Sequence, residues 1–362
     1  MMIQKITLTN FRNYQKQTLT LGSGIHFIIG ANGAGKTNLL EALYVLSLAK
    51  SYKVEDADLI RYTCDFAKIQ ASVASQNRQI DLSLIITEIG KKALLNDHEI
   101  KRLSDYIGNL HIVSFLPEDM SLIKGSPGDR RYYFDVFLSQ IDKNYLEMLT
   151  TYKYTLRQRN ELLKKLSAEP KPDTTLLDVL TEQLAFHAQQ VMARRDEFVK
   201  EINDVLNSAY KRLAHKNEMM SMTYCPSIEA TDTTAFLKSK YHQDLVARIT
   251  NYGPHRDDYD FYLDDRLARN HASQGEQRTM ILSLIMALGD LIYQIKKERP
   301  VFLLDDVFSE LDSERQNRLL EYLTTANLQA IVTTTSVQEI KETIIKKAKI
   351  FRVTNGYIKE EY

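Results

Sequence analysis

Gly30-Ala31-Asn32-Gly33-Ala34-Gly35-Lys36-Thr37 is the stretch that decides how this chain is read. Its spacing is G-x-x-x-x-G-K-T, in which glycine backbone turns N–H groups onto phosphate oxygens. Before it, Ile25-His26-Phe27-Ile28-Ile29 is a short apolar, β-branched run that predicts a buried strand. After it, Leu39, Leu40, Leu43, Leu46 and Ala49 recur at helical spacing. Strand, glycine-rich loop and helix in that order turn the letters into a site. The loop amides point at phosphate oxygens, and the helix N-terminus adds positive potential. Lys36 is expected to reach the β- and γ-phosphates, and the Thr37 hydroxyl to ligate Mg²⁺. ATP and Mg²⁺ are therefore the expected cofactors, held by residues 30–37 together with Asn38 at the start of the helix.

The totals set bounds. The chain has 362 residues, 44% hydrophobic and 26% charged, an ordinary globular composition long enough for two domains or three. Lys+Arg and Asp+Glu both number 47, so a nucleic-acid partner has to be met by a local basic patch rather than a global field. Cys64 and Cys225 stand alone, which supports neither a disulfide framework nor a zinc site and fits a reducing compartment. Residues Met1 to Leu8 have no signal-peptide character, and no apolar stretch approaches bilayer-spanning length. The expectation is a cytoplasmic protein without a membrane partner.

Outward from the loop, residues 1 to about 100 read as strands around one helix. Ile3, Ile6 and Leu8 begin a strand; Ile69-Ala71-Val73 and Ile80-Leu82-Leu84-Ile86 alternate with period two, as half-buried antiparallel strands do. Leu110 to Phe115 is a further apolar run. Tyr132 to Leu166 and Thr174 to Leu213 read as long helices, the second with an apolar stripe from Leu177 through Leu184, Val191, Phe198 and Val205 to Leu213. The break Ala168-Glu169-Pro170-Lys171-Pro172-Asp173-Thr174 predicts a turn between them, hence an antiparallel hairpin whose arginines, Arg157, Arg159, Arg194 and Arg195, are expected on a solvated face. From about 245 the α/β pattern returns: a helix over Gln277 to Lys296 and strands at Val301–Leu304 and Leu328–Val332. The expected organisation is one α/β head from residues 1–115 and 245–362, interrupted by a helical insertion at 116–244.

The strand Val301-Phe302-Leu303-Leu304 ends in Asp305-Asp306. Strand C-termini of a parallel sheet face the nucleotide, so Asp305 is expected to hold Mg²⁺ and Asp306 to orient or deprotonate the attacking water. Ser273-Gln274-Gly275-Glu276-Gln277-Arg278 opens the long helix. Ser273 with Glu276 reads, taken alone, first as a capping box, with a helix start offering free N–H groups to a phosphate as the second reading.

The order of these parts, closed by Ser309-Glu310-Leu311-Asp312, resembles the ABC-type ATPases. Within them the chain resembles the RecF family and, more distantly, the SMC-type heads. The resemblance runs nearly end to end, through Leu8-Thr9-Asn10-Phe11-Arg12-Asn13-Tyr14, Thr37-Asn38-Leu39-Leu40-Glu41-Ala42, Phe115-Leu116-Pro117-Glu118-Asp119, Lys124-Gly125-Ser126-Pro127 with Arg130-Arg131, and Gly253-Pro254-His255-Arg256-Asp257-Asp258. It implies an SMC-like ATPase head with an inserted helical lobe containing a short antiparallel hairpin. It implies that Ser273, Gln274 and Gly275 complete the nucleotide site of a second copy, so that a homodimer sandwiches two ATPs, and that Arg12 lies near the phosphates. It further implies a DNA-repair and replication ATPase that binds double- and single-stranded DNA, acts with RecR- and RecO-like mediators to load a recombinase, and supports the SOS response. Asp306, where most ABC-type relatives carry Glu, and Val332-Thr333-Thr334-Thr335, where many carry a switch histidine, imply slow, DNA-stimulated hydrolysis. The segment Phe115 to Asp119 stands where the glutamine loop is expected.

Candidates for the DNA surface are Lys53, Arg61, Arg78, Lys91, Lys92, Arg130 and Arg131. Two other classes share parts of this layout. The nucleotide subunit of a membrane transporter has the ATP motifs but not the helical hairpin, and a small-molecule phosphotransferase has no need of Ser273. A guanine-specific N-K-x-D motif is absent.

Overall fold

Ile25–Ile29 is buried along its whole length and lies third from one edge of a six-stranded sheet. A strand covered on both faces reads as an unbroken apolar run, and the same holds for Val301–Leu304 and Ala330–Thr334. The order is Tyr357–Glu361, Lys349–Thr354, Ile25–Ile29, Ala330–Thr334, Val301–Leu304, Ile112–Phe115. All neighbours are parallel except the first pair, a terminal hairpin. The register aligns Leu304 with both Phe115 and Val332, and Thr334 with Ile29. The residues that follow these strands therefore emerge along one edge. This computed structural model describes residues 1–362 apart from 77, 170–172, 215–217, 338–339, 341 and 362.

A second six-stranded sheet is antiparallel, in the order Tyr14–Thr20, Met2–Phe11, Phe66–Ser75, Arg78–Thr87, Gly90–Leu95, His98–Ile100. Gln329, 3% exposed, ties the two sheets: it accepts from the Ile3 amide at 2.7 Å and donates to the Ile3 carbonyl at 2.8 Å. The helix Lys36–Leu48 lies against strands of both sheets, which is why residues on all its faces are buried. The helix Gln274–Lys296 has a mean hydropathy of 1.4 over an 18-residue window and is long and apolar enough to cross a membrane by composition, unlike the sequence expectation. It is a core helix: 72% of that window is buried in the protein.

The chain divides into two compact units, 1–120 with 205–218 and 272–362, and 121–204 with 219–271. The sequence expectation placed 205–218 in the insertion and 245–271 in the head. The helical period runs through 204 without a break, so periodicity gives no sign of the division. Asp258–Leu263 pairs with Met220–Cys225 on one side and with Arg266–Leu267 on the other in a three-stranded sheet, which holds them in the second unit.

In the second unit the expected helix over 132–166 is two, Pro127–Ile141 and Lys143–Leu166. Asp142 is extended at φ −138°, and its side chain caps the following helix by accepting from the Tyr145 amide. The hairpin forms as expected. Leu163 and Leu166 pack on Leu177, Arg159 donates to Thr181, and Arg195 donates to the Tyr145 hydroxyl, an antiparallel alignment. Residues 170–172 of its predicted turn lie outside the described residues. Two arginines expected in solvent are buried instead: Arg159 pairs with Asp244 at 2.8 Å, and Arg195 with Asp135 and Asp257. Charge periodicity cannot tell a solvated face from one that meets a buried carboxylate.

Candidate nucleotide site

Gly30 to Thr37 leave the end of their strand and open the helix Lys36–Leu48. Gly35 has φ 116°, and a Cβ there would come 2.4 Å from the Asn13 side chain. Only glycine fits. Gly33 also has positive φ, but nothing lies within 4 Å of a Cβ built there, so its space is open on the outer side of the loop. The loop is braced from without. Asn13 Nδ2 donates to the Ala34 carbonyl at 3.1 Å, Tyr14 OH to the Gly35 carbonyl at 2.7 Å, and the Gly356 amide to the Ala34 carbonyl at 3.1 Å. The Ala34 amide donates to the Ala31 carbonyl at 3.2 Å; with the braced carbonyls engaged elsewhere, the other loop amides can face an anion.

Lys36 is 9% exposed, and its ammonium donates to the Gly30 and Ala31 carbonyls. Burial pulls its pKa below the ordinary lysine value, opposed by Asp306 and Asp305. Asn38, expected as a nucleotide ligand, donates to Asn13 Oδ1 at 2.9 Å. Arg12 reaches Glu41 on the same helix with Nε at 2.8 Å and Nη2 at 3.2 Å. Glu41 is fully buried and also accepts from Ser51 Oγ at 2.6 Å. Arg12 thus makes a two-pronged ion pair to the first turns of the phosphate-loop helix rather than a contact with the loop itself.

The acidic strand end meets the loop. Thr37 Oγ1 donates to Asp305 Oδ1 at 3.2 Å, and Thr333 Oγ1 donates to the same oxygen at 2.6 Å. The Asp306 amide donates to Thr333 Oγ1 at 2.8 Å. Burial raises the Asp305 pKa, the two threonine hydrogen bonds lower it, and the Asp306 and Glu118 carboxylates raise it again. Asp306 itself takes φ 48° and opens the turn Val307–Glu310; it lines a cavity of ≈ 230 Å³ with Ser309, Thr334 and Ser336. Phe115-Leu116-Pro117-Glu118-Asp119 lies at the neighbouring strand end, where the Phe115 carbonyl accepts from the Asp305 amide. Burial there lifts the Asp119 pKa to about 7.

Ser273 realises its capping box. Its Oγ accepts from the Glu276 amide at 3.3 Å, and Glu276 Oε2 accepts from the Ser273 amide at 2.9 Å. Ser273, Gln274 and Gly275 are exposed, and among the described residues outside its own helix turn nothing lies within 4 Å of a Cβ built on Gly275. No backbone strain or crowding inside the chain calls for that glycine. Among the described residues no hydrogen bond joins 273–275 to 30–37.

The candidate DNA residues do not share one environment. Lys53 and Arg78 are exposed, Arg61 is half-buried, and none of the three has an ion pair among the described residues. Lys91 pairs with Asp56 and Lys92 with Glu99. Arg130 is corrected: at 2% exposure its guanidinium is fixed two-pronged on Asp258 and also donates to the Leu122 and Gly125 carbonyls, so it cannot face DNA. Arg131 is half-buried in the same unit. Sequence reasoning gave no role to Asn13, Tyr14, Glu41 or Thr333, although each stands inside a quoted motif.

Comparison with known proteins follows the same outline. The sequence family described as RecF/RecN/SMC N terminal domain matches residues 2–359. A protein of Oceanobacillus iheyensis named "DNA replication and repair protein RecF" is 40% identical over 369 aligned positions, covering 99% of this chain and all of that one. The solved structure described as "Structure of the recombination mediator protein RecF-ATPrS in RecFOR pathway" superposes with a TM-score of 0.92 at 29% identity, covering 100% of this chain and 98% of that one. An Smc head domain from Pyrococcus furiosus shares the fold, with a TM-score of 0.56 at 16% identity, covering 99% and 95%. Identity of this extent along the whole length leaves the transporter alternative without support. The chain belongs to the RecF/RecN/SMC N-terminal domain family, among its RecF proteins.

Proposed function

We propose, with that membership as the premise, that the chain is a RecF-type protein of DNA replication and repair. It binds DNA as an ATP-dependent homodimer and cooperates with RecR- and RecO-like mediators in loading a recombinase at gaps. ATP binds at Gly30–Thr37. The residues present fit Mg²⁺: Thr37 Oγ1 and Asp305 Oδ1 are two hard oxygens 3.2 Å apart, and with few protein ligands the remaining positions suit phosphate oxygens and water. Such an ion neutralises phosphate charge. Lys36 supplies the positive charge on the loop, and Thr333 aims Asp305. Asp306 accepts a proton from water, and its short side chain keeps hydrolysis slow. The cytoplasm is the compartment that suits this work.

The observation that carries the dimer is Gly275. An exposed glycine at a capped helix start, without crowding from its own chain, leaves room for close approach by something outside it. A twofold dimer lets each copy supply that helix start to the other's phosphate loop. Sedimentation with ATP and with ADP, with and without duplex DNA, tests the reading. Wild type should dimerise with ATP, and Ser273→Arg should bind ATP as a monomer. A Ser273→Arg protein that still dimerises with ATP would leave the serine with its cap alone.

A further inference from the structure

Gly253-Pro254-His255-Arg256-Asp257-Asp258 plays no part in the nucleotide site, and the second unit explains its letters. Gly253 sits at φ 132°, and a Cβ there would lie 2.5 Å from the Tyr152 hydroxyl. Tyr152 OH is 2.6 Å from His255 Nδ1, and His255 Nε2 is 2.9 Å from the Thr250 carbonyl. The carbonyl can only accept, so Nε2 carries the proton and Nδ1 accepts from Tyr152. Burial keeps this imidazole neutral, with its pKa lowered to about 4. Asp257 accepts from Arg195 at 3.1 Å, from the Tyr224 hydroxyl and from the Ser227 amide. Asp258 holds Arg130, and Asp135 holds Arg195 at 2.8 Å. Two buried arginines thus occupy three carboxylates.

Arg131 is left over. Its Nη1 donates to the Asp257 carbonyl at 2.5 Å, and no carboxylate lies within 4.0 Å of its guanidinium among the described residues. Lys153, 56% exposed, reaches Asp135 only at 3.4 Å. Arg131, Lys153 and Arg195 line one cavity of ≈ 180 Å³, whose only acidic wall residue among the described residues is Asp135. Asp135 is already engaged by Arg195 and by the Tyr145 hydroxyl at 2.5 Å. Gly128, in the first turn of the helix Pro127–Ile141, adds backbone without a side chain to the wall. Burial and the nearby Arg195 charge depress the Arg131 pKa, opposed by Asp257, Asp258 and Asp135, and the net direction is downward.

We propose that this cavity binds a phosphate group, with Arg131 and Lys153 as its charged partners, and that the group is a phosphodiester of bound DNA. A guanidinium with free N–H groups suits phosphate oxygens, and a lysine at the mouth suits a chain that passes outside. The DNA source rests on the function proposed above; the anion site does not. The test uses the full chain in two arms. In the first, ³¹P line broadening of inorganic phosphate is measured on Lys36→Met protein, whose phosphate loop is disabled. Adding Arg131→Gln should weaken phosphate binding about tenfold or more, and Lys153→Gln, an exposed change that spares folding, should weaken it several-fold. In the second, anisotropy of a labelled duplex is followed against salt. Arg131→Gln should cost about tenfold at fixed salt and lower the slope of log affinity against log salt by about one. Unchanged phosphate binding in both variants overturns the site. Lost phosphate binding with unchanged DNA binding overturns the DNA source and assigns the cavity to a free phosphate. Absence of DNA binding by wild type counts against the proposed function, and the phosphate arm still decides the cavity.

Discussion

Thr333 is the residue whose replacement tests the acidic strand end most directly. Its hydroxyl, on a fully buried residue, donates to Asp305 Oδ1 at 2.6 Å and accepts from the Asp306 amide at 2.8 Å. Thr333→Val keeps shape and volume, so no cavity term enters. It removes a hydrogen bond to a buried carboxylate, about 1.5–3 kcal/mol, and takes the partner from a part-buried amide, which adds about 1 kcal/mol. The two losses share one hydroxyl and are not additive, so about 3 kcal/mol of stability at pH 7 is expected to go. The pH dependence has a definite sign. Asp305 already has its folded pKa above the unfolded value, so the native state holds the proton more tightly and stability falls as pH rises between those two values. Losing the Thr333 donor raises the folded pKa further. The deficit of the variant should therefore be large at pH 7 and shrink toward pH 4. Urea unfolding at the two pH values measures it, with Asp305→Asn as the companion of a double-mutant cycle. Because the hydroxyl also aims a metal-ligating oxygen, Mg²⁺-dependent ATP affinity should fall about 10- to 100-fold. A variant within about 0.5 kcal/mol of wild type at pH 7, well inside the range of neutral substitutions, would refute the argument that this hydroxyl holds the strand end together.

Three further outcomes follow from the same geometry. Lys36→Met should weaken binding of a fluorescent ATP analogue by about 10- to 100-fold, since hydrogen bonds to charged groups contribute about 1.5–3 kcal/mol; unchanged affinity would remove the phosphate-loop assignment. Asp306→Asn should keep ATP affinity and lose hydrolysis by about 10²- to 10⁴-fold, so that ATP-bound dimers persist; phosphate release at the wild-type rate would clear Asp306 of any role with water. Asp119, with a pKa raised from 3.8 to about 7, makes wild-type stability decline as pH climbs from the first value to the second and hold level above it. Asp119→Asn lacks that decline and should gain on wild type between pH 4 and pH 8 by an amount on the order of 4 kcal/mol at most, read from urea midpoints; parallel profiles for the two proteins would place the titration elsewhere.

What the sequence made legible was local. A glycine loop between an apolar strand and a helix, and a buried strand ending in Asp305-Asp306, are each encoded within a dozen residues, and the parallel register brings them together. Ser273 illustrates a harder case: a capping box and a phosphate-presenting helix start use the same letters, and the cap is there at 2.9 and 3.3 Å. Gly275, with nothing within 4 Å of a built Cβ among the described residues, leaves room for the second meaning beside the first. Tertiary pairing was not legible at all. Arg130, Arg159 and Arg195 look like any charged helix face, yet they are buried because Asp258, Asp244 and Asp257 arrive from segments 62 to 128 residues away. The boundary between units was hidden for a related reason, since one 40-residue helix crosses it with its period intact.

The arginines also show how one sequence feature divides by partner. Arg130 and Arg131 are adjacent on one helix and differ by about 100° of helical rotation. That turn sends Arg130 onto Asp258, where two parallel hydrogen bonds fix it, and leaves Arg131 beside a cavity with only a carbonyl oxygen. A half-buried arginine without a carboxylate in contact is costly to keep. Asp257 is committed to Arg195, Tyr224 and Ser227. The acids of the motif are thus engaged by Arg130 and Arg195, and Arg131, with no carboxylate in contact among the described residues, lines the space in which an anion fits.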